Sequence, residues 1–268
     1  MILPTGVASG WLFLLAGLVT VSYVLAFAAQ GRFERWALRA FPVGVAAHVA
    51  MVLLEIGSLG VGSGQVRLGF GPVLSLTACL TLAVHAIGGH LTPTLSVRRT
   101  LAVAGIGAVL LGLLFPGEAR SLGSPWAPVH WLLGVASYAL FGAAVLHGVL
   151  LDGAERRLRA RKGRPGAPSG APSGVPLLQL ERITFRFVQA GFAVLTAAMV
   201  LGMVTSAGWR WDHKTVLSLV AWAIFAALLA GRHFRGWRGQ QATRWLYAGV
   251  LALLLAYVGS RFVLEVLM

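Results

Sequence analysis

The stretch GWLFLLAGLVTVSYVLAFAA, residues 10–29, decides the fold class of this chain. It carries no charge over about the number of residues that a helix needs to cross the ~30 Å hydrocarbon core of a bilayer. We therefore predict an all-α polytopic membrane bundle of about eight transmembrane helices, forming one integral membrane domain over residues 1–268. Similar apolar runs follow at 41–58, 72–92, 100–116, 129–151, 185–206, 215–231 and 243–265.

The composition excludes several classes of protein. Hydrophobic residues make up 57% of the chain and charged residues only 11%, against about 25% charged in an ordinary soluble domain. A soluble globular protein and a disordered chain are both excluded. The single cysteine, Cys79, excludes an internal disulfide, a CxxC pair and a CxxCH haem-attachment motif. The sequence also lacks a hydrolase triad, a Walker loop and an HExxH motif, so we predict no catalytic residue.

The net charge of +14 comes from 22 Lys and Arg against 8 Asp and Glu. The loops after the first, third, fifth and seventh runs hold three, two, eight and four of these cations, so 17 lie on one side and five on the other. The positive-inside rule then places those loops in the cytoplasm and both termini in the periplasm. Because the cations are spread over separate loop ends, we predict no nucleic-acid partner.

The longest loop, residues 152–184, is predicted to be cytoplasmic. Its basic part, 154–164, is expected to extend the fifth helix and to meet anionic lipid headgroups. Its second part, RPGAPSGAPSGVP at 164–176, is a Pro/Gly/Ser linker. We expect this linker to separate a five-span part from a three-span part.

Four histidines are candidate haem-iron ligands at two depths. His48 and His85 each lie about seven residues inside the cytoplasmic end of their apolar runs, so we expect them to face each other within the bilayer. His130 and His213 open the fifth and seventh runs on the outer side, where they too can face each other. Two neutral imidazoles on opposite faces of a macrocycle commonly hold haem iron. The alternative is that each histidine only hydrogen-bonds a neighbouring helix.

One face of the fifth run supports a planar ligand. At 100° per residue, His130, Gly134, Ser137, Phe141 and Val145 fall on one stripe. Small residues below the histidine leave room for a flat ligand, and Phe141 supplies an apolar wall. The alternative is a seam of small residues that packs helices together.

The outer loop SAGWRWDHK, residues 206–214, is the second candidate element of a haem site. Its indoles can stack on a flat ligand and its cations can meet haem propionates. Its aspartate can orient His213, cap the seventh helix or pair with Lys214. The alternative is a tryptophan anchor at the membrane interface. The residues concerned are Trp209, Arg210, Trp211, Asp212 and Lys214, with Trp126 before the fifth run enclosing the same surface.

Several segments resemble the cytochrome c assembly protein family, the haem-handling membrane proteins of the CcsA and CcmC types. The run PVHWLLGVASYA at 128–139 is similar to the family's outer histidine and following span. The run GWRWDHK at 208–214 looks like the end of the family's tryptophan-rich WWD segment. Segments 231–239 and 256–260 resemble the closing loop and last span of the YpjD-like members, and the smaller YpjD-like and HemX-like inner-membrane branch is a closer match than the larger members.

The resemblance implies haem binding and a role in cytochrome c biogenesis in the bacterial inner membrane. It carries haem contact to Trp209, Trp211, Asp212 and His130, whereas His213 stands where larger members have proline, so its ligand role rests on the residue itself. The short WWD segment and the missing outer domain indicate an assembly factor rather than a complete haem lyase.

The expected cofactor is haem, bound non-covalently as haem b. The expected partners are other cytochrome c maturation proteins, apocytochrome c and the lipid bilayer. The alternatives are a membrane scaffold or regulator without haem, and a small-molecule transporter. The candidate haem-contacting residues are His130, His48, His213, Trp209, Trp211, Asp212, His85, Trp126 and Arg210.

Overall fold

The computed structural model shows eight α-helices in the part of the chain that it describes, which is residues 7–28, 31–57, 65–67, 70–87, 95–116, 119–121, 126–162, 177–205 and 211–259. A short 3₁₀ turn precedes the second helix and a π-turn, Leu255–Gly259, follows the eighth. The prediction of an all-α membrane bundle is confirmed. The helices are α1 Val7–Ala28, α2 Glu34–Gly57, α3 Phe70–Ile87, α4 Leu95–Leu114, α5 Ala127–Lys162, α6 Leu177–Thr205, α7 His213–Arg235 and α8 Gly239–Leu254.

Each predicted apolar run overlaps one of these helices. Among the described residues, five helices are long and apolar enough to cross a membrane, namely α1, α2, α5, α6 and α7, and α3 contributes a shorter apolar segment, Gly71–His85. Several helices extend beyond their apolar runs. In particular α2 begins at Glu34 rather than at 41, and α5 continues to Lys162, as its basic extension predicted.

The chain folds as two compact units, Met1–Ala127 with Glu265–Met268, and Pro128–Leu264. The first unit contains α1–α4 and the second is built from α5–α8. The boundary between these compact units lies at the start of α5, whereas the Pro/Gly/Ser linker follows α5 in the sequence, after five helices and before three. A composition break marks a loop, whereas a unit boundary depends on which helices pack together.

In the first unit, α1 packs against both α2 and α4 through the buried ring of Tyr23. A Cβ added to Gly44 of α2 would lie 2.9 Å from that ring, and one added to Gly105 of α4 would lie 2.5 Å from it. Only glycine at these two positions lets the helices approach the tyrosine so closely.

The amino end of α4 caps the carboxyl end of α1. The Nε of Arg98 donates to the carbonyl of Ala26 and the Nε of Arg99 donates to that of Phe27, both at 3.0 Å. These carbonyls belong to the last turn of α1, where the helical ladder leaves them without partners and the helix dipole favours a cation. Arg98 is buried, whereas Arg99 is more exposed and lies 5.5 Å from the Phe27 ring.

A two-stranded antiparallel ribbon also belongs to the first unit. It pairs β1, Gln65–Arg67, with β2, Ala119–Ser121, and Val66 stands opposite Arg120. The ribbon joins the connection after α2 to the connection after α4, and it was not predicted from the sequence.

The core of the second unit is aromatic. The rings of Phe141 in α5 and Phe225 in α7 stack with centroids 3.9 Å apart and planes 7° apart. Gly191 of α6 and Gly249 of α8 make room for these two rings, since a Cβ there would lie 3.1 Å from Phe141 and 2.7 Å from Phe225. This arrangement brings all four helices of the unit to one buried aromatic pair.

Polar contacts join the helices of the second unit at the end where α5 finishes and α8 begins. Thr243 and Tyr247 of α8 both donate to the carboxylate of Asp152, each at 2.8 Å. Arg232 of α7 donates to Glu181 of α6 at 2.7 Å. Each pair joins two helices, so this end of the unit is held by charge-assisted bonds.

Candidate functional site

His130 lies in the first turns of α5 and is half-buried against α6. Its Nδ1 lies 2.9 Å from the carbonyl oxygen of Ala198. A carbonyl can only accept, so Nδ1 carries the proton and the lone pair of the neutral ring is on Nε2. Nε2 has no hydrogen-bond partner among the residues that the structure describes. This is the arrangement that metal-binding histidines usually adopt, with one nitrogen held by a backbone carbonyl and the other open to the metal.

Two glycines shape the surroundings of this ring. A Cβ on Gly202 of α6 would lie only 2.9 Å from Cε1 of His130, so glycine makes room for the ring at this point. A Cβ on Gly134, one turn below His130 on the same stripe of α5, would meet nothing within 4 Å. The His130 imidazole is therefore in close contact with α6, while the space beside Gly134 on the same face of α5 is open.

A cationic and aromatic pair lies near His130 at the same end of the unit. The Nζ of Lys214 in α7 lies 5.2 Å from the centroid of the Tyr257 ring in the π-turn. The Lys214 ammonium is also within electrostatic range of His130. The hydroxyl of Tyr138 in α5 donates to the carbonyl of Leu253, at the end of α8 where the π-turn begins. The contacts at this end thus involve α5, α6, α7, the end of α8 and the π-turn.

Asp212 caps α7, which decides between the three roles predicted for it. Its Oδ1 accepts from the backbone nitrogen of Thr215 at 2.8 Å, and its backbone is extended, as an N-cap requires. Hydrogen bonds from the side chain and backbone of Thr215 lower the pKa of the Asp212 carboxyl below its ordinary value. The cap fixes where α7 begins and hence where His213 and Lys214 lie.

The other predicted outer residues are exposed. His213 is the first residue of α7, and the structure describes no contact between its ring and that of His130. Trp126 is 56% exposed and Trp211 is 73% exposed. Trp209 and Arg210 lie outside the described residues.

His48, in the first unit, has a different environment. It is completely buried, its Nδ1 lies 3.2 Å from the hydroxyl of Tyr23, and its Nε2 lies 2.9 Å from that of Ser75. A hydroxyl can donate or accept, so both nitrogens are satisfied in either tautomer. The ring joins α1, α2 and α3 through hydrogen bonds, which is the helix-packing alternative considered for it.

The structure does not bring His85 to His48. Ser75, which does contact His48, precedes His85 by ten residues of α3, or about 15 Å along the helix. His85 instead packs edge-on against Phe41, with ring centroids 6.2 Å apart. The expected pairing was wrong because the depths were counted from the ends of the apolar runs, whereas α2 begins at Glu34, before its run, and His48 meets α3 at Ser75.

The stripe predicted to line a planar ligand is only partly open. Ser137 is buried and donates to the carbonyl of Gly134 at 2.7 Å. Phe141, one turn after Ser137, stacks on Phe225 and is part of the core rather than the wall of a ligand site. Helix packing thus accounts for the lower part of the stripe, and only the part between His130 and Gly134 is left for a ligand.

Comparison with known proteins gives the family of this chain. The model of the family described as Cytochrome C assembly protein matches residues 8–268. The chain belongs to the cytochrome c assembly protein family. It is therefore a family member over almost its whole length, which confirms the resemblance found in the sequence.

Curated relatives support the same assignment. This cytochrome c assembly family member is 29% identical over 267 residues to the inner membrane protein YpjD of Escherichia coli strain K12, an alignment that covers 95% of this chain and 98% of the relative. It is 27% identical over 165 residues to the cytochrome c biogenesis protein CcsA of Prochlorococcus marinus strain NATL1A, with 52% of each chain covered. No solved structure matches the chain. Together with the apolar helices, these relatives identify a multi-pass protein of the bacterial inner membrane with a role in cytochrome c biogenesis.

Two tyrosines of this family member lie near the candidate site and were not predicted from the sequence. Tyr138 and Tyr257 both stand in segments that resemble the family, but neither was considered as a functional residue. Tyr138 lies eight residues after His130, off its stripe, and Tyr257 lies within the last apolar run. The π-turn that positions Tyr257 has no sequence signature comparable to a cap or a tight turn.

Proposed function

We propose that this protein handles haem for cytochrome c biogenesis and binds it non-covalently, as haem b, at the His130 end of the second unit. The observation that carries the proposal is the hydrogen bond from Nδ1 of His130 to Ala198, which leaves Nε2 without a partner among the described residues and so available to iron. His130 is the outer histidine to which the family resemblance assigned haem contact. Of the four candidate ligands, it is the one whose contacts favour ligation most clearly.

Other residues at this end suit the remainder of a haem molecule. The open space beside Gly134 lies on the face of α5 that carries His130, and a flat macrocycle needs such space. Lys214 supplies a cation for a propionate, and exposed Trp211 supplies apolar surface. Haem, if bound, would supply an iron that accepts a nitrogen ligand, and it would supply two carboxylates that pair with cations. The protein's own task is to hold His130 in one orientation and one tautomer.

His48 and His85 contribute less to the proposal. Iron ligation by His48 would require the ring to give up a hydrogen bond to Tyr23 or Ser75 inside a buried cluster. His85 packs on Phe41, far from His48 along α3. We therefore assign His48 a role in joining helices and keep His213 as the second outer histidine to be tested.

The second candidate function is a membrane scaffold that binds no haem. The stacking of Phe141 on Phe225 favours it, because a residue predicted to line the ligand is used to pack helices. A scaffold would need neither an open nitrogen on His130 nor open space at Gly134.

Haem titration of the purified protein in detergent distinguishes the two functions. We expect added hemin to produce a Soret band that is lost in His130→Ala and kept in His233→Ala, a matched change of an exposed histidine. We expect Gly134→Leu to weaken binding without unfolding the protein, since its side chain enters open space. A wild-type protein that stays colourless with hemin would overturn the haem function, and equal binding by His130→Ala would overturn the assigned ligand.

The proposed orientation has both termini and the His130 end in the periplasm, where haem would be delivered with the help of other maturation proteins and apocytochrome c. It rests on the 17 cations of the loops on the opposite side. A fusion at residue 170 tests it. Strong alkaline phosphatase activity there would show that this loop is periplasmic and would reverse the orientation.

A further inference from the structure

The π-turn Leu255–Gly259 is an irregular element that the proposed function has not used. A π-turn changes the backbone hydrogen-bond register from i+4 to i+5, and such turns occur frequently at functional sites. Here it follows α8 directly and carries Tyr257 at the His130 end of the second unit.

Two contacts position this turn. The Tyr138 hydroxyl donates to the carbonyl of Leu253, which belongs to the last turn of α8, where the α-helical ladder ends. On the other side, the Lys214 ammonium lies 5.2 Å from the centre of the Tyr257 ring. The turn is therefore held between α5 and the first turn of α7.

The position of Lys214 also depends on the start of α7. Asp212 caps this helix two residues earlier, so the backbone that carries Lys214 is fixed while its long side chain is exposed. A free lysine side chain samples many rotamers and loses this freedom when it binds an anion. An aromatic ring that holds the ammonium near His130 reduces this loss.

We propose that Tyr257 is a positioning residue of the haem site, which holds the Lys214 ammonium where it receives a carboxylate of the ligand. This inference rests on the proposed function and names the chemistry that the site recognises besides the iron, namely an anionic carboxylate at the edge of the macrocycle. Tyr257 acts through Lys214, and Tyr138 acts through the π-turn.

The first test uses the protein without haem. The chain has two lysines, Lys162 and Lys214, so Lys162→Arg leaves a single lysine whose acetylation can be followed by peptide mass spectrometry. We expect Tyr257→Leu to speed acetylation of Lys214 by about two- to five-fold, the range of an exposed cation–π contact. Tyr257→Phe keeps the ring and should leave the rate unchanged, while Tyr138→Phe should raise it by loosening the turn. An unchanged rate in Tyr257→Leu would overturn the proposal.

The second test separates positioning from a general structural role. Hemin and its dimethyl ester share the macrocycle and the iron, but only hemin carries free carboxylates. We expect Tyr257→Leu and Lys214→Gln to weaken hemin several-fold more than the ester, and Tyr257→Phe to behave as the wild type. Equal weakening of both ligands would mean that Tyr257 only supports the fold and would overturn the proposal. If the wild type bound neither ligand, the haem function would fail, while the acetylation test would still decide whether Tyr257 holds Lys214.

Discussion

The close approach of Gly202 to His130 allows the candidate site to be perturbed by one methyl group. In Gly202→Ala the new Cβ would lie 2.9 Å from Cε1 of His130 and 3.3 Å from its Nδ1. Carbon atoms in ordinary contact are about 3.5–4.0 Å apart, so the ring must move by about 0.6 Å. Its hydrogen bond partner, Ala198, lies one turn earlier on the same helix, so this movement strains the bond.

The expected energies differ between folding and haem binding. A weakened hydrogen bond costs about 0.5–1.5 kcal/mol and a strained rotamer a similar amount. Replacing glycine by alanine inside a helix stabilises the fold by about 1 kcal/mol, which offsets part of this cost. The free energy of unfolding should therefore fall by at most about 2 kcal/mol. Helix propensity is the same in the free and the haem-bound protein. The stabilisation of the helix therefore cancels, and only the cost of the displaced ring opposes binding. Haem binding should weaken by about 1–2 kcal/mol, which is about five- to thirty-fold in Kd.

The assay is a hemin titration followed at the Soret band, together with thermal unfolding without ligand. The matched control is Gly153→Ala in α5, where a Cβ meets nothing within 4 Å. The control should bind hemin like the wild type. If Gly202→Ala also bound hemin like the control, the placement of His130 by α6 would have no bearing on haem binding, and the reasoning would be refuted.

Three further predictions concern stability. His48→Ala should lower the free energy of unfolding by about 2–5 kcal/mol, because it leaves a cavity and two unpaired hydroxyls. The hemin Kd of the folded variant should stay within about twofold of the wild type. Loss of the Soret band in a folded variant would restore His48 as a ligand. Arg98→Met should cost about 1.5–3 kcal/mol by thermal unfolding, and the more exposed Arg99→Met clearly less; equal losses would contradict the role of burial. Asp212→Ala should cost about 1 kcal/mol at pH 7. Because the folded pKa of Asp212 is lowered, this advantage over the variant is complete above the ordinary value of 3.8 and is lost as the pH falls through the folded pKa; a constant difference in unfolding temperature down to pH 2 would contradict it.

The helices could be predicted from the sequence because a bilayer imposes one strong requirement. A segment in hydrocarbon must satisfy its own backbone, so a long apolar run is a helix almost regardless of its neighbours. The same rule does not locate helix ends in water. The basic end of α5 continues to Lys162 well past its apolar run, and α2 begins seven residues before residue 41.

Errors in helix ends propagate into the predicted contacts between helices. His48 and His85 have equal depths when counted from apolar boundaries, but the helices are displaced relative to those boundaries. The partner of His48 is therefore Ser75, and Phe41 faces His85. Phe141 illustrates a different limit, since a helical wheel places it on the His130 stripe but cannot show that Phe225 of α7 already covers it.

The roles of buried His48 and half-buried His130 depend on whether their hydrogen-bond partners can donate as well as accept. His48 contacts two hydroxyls, which adapt to either tautomer and leave no lone pair for a metal. His130 contacts one carbonyl, which fixes the proton on Nδ1 and leaves Nε2 without a partner among the described residues. Both histidines lie in apolar runs, so hydropathy and residue type do not distinguish them as candidate iron ligands. The partner of each one is supplied by another helix, from Tyr23 and Ser75 in the first unit and from the backbone of Ala198 in the second, and the distinction between a packing histidine and a ligand therefore arises only when the helices are assembled.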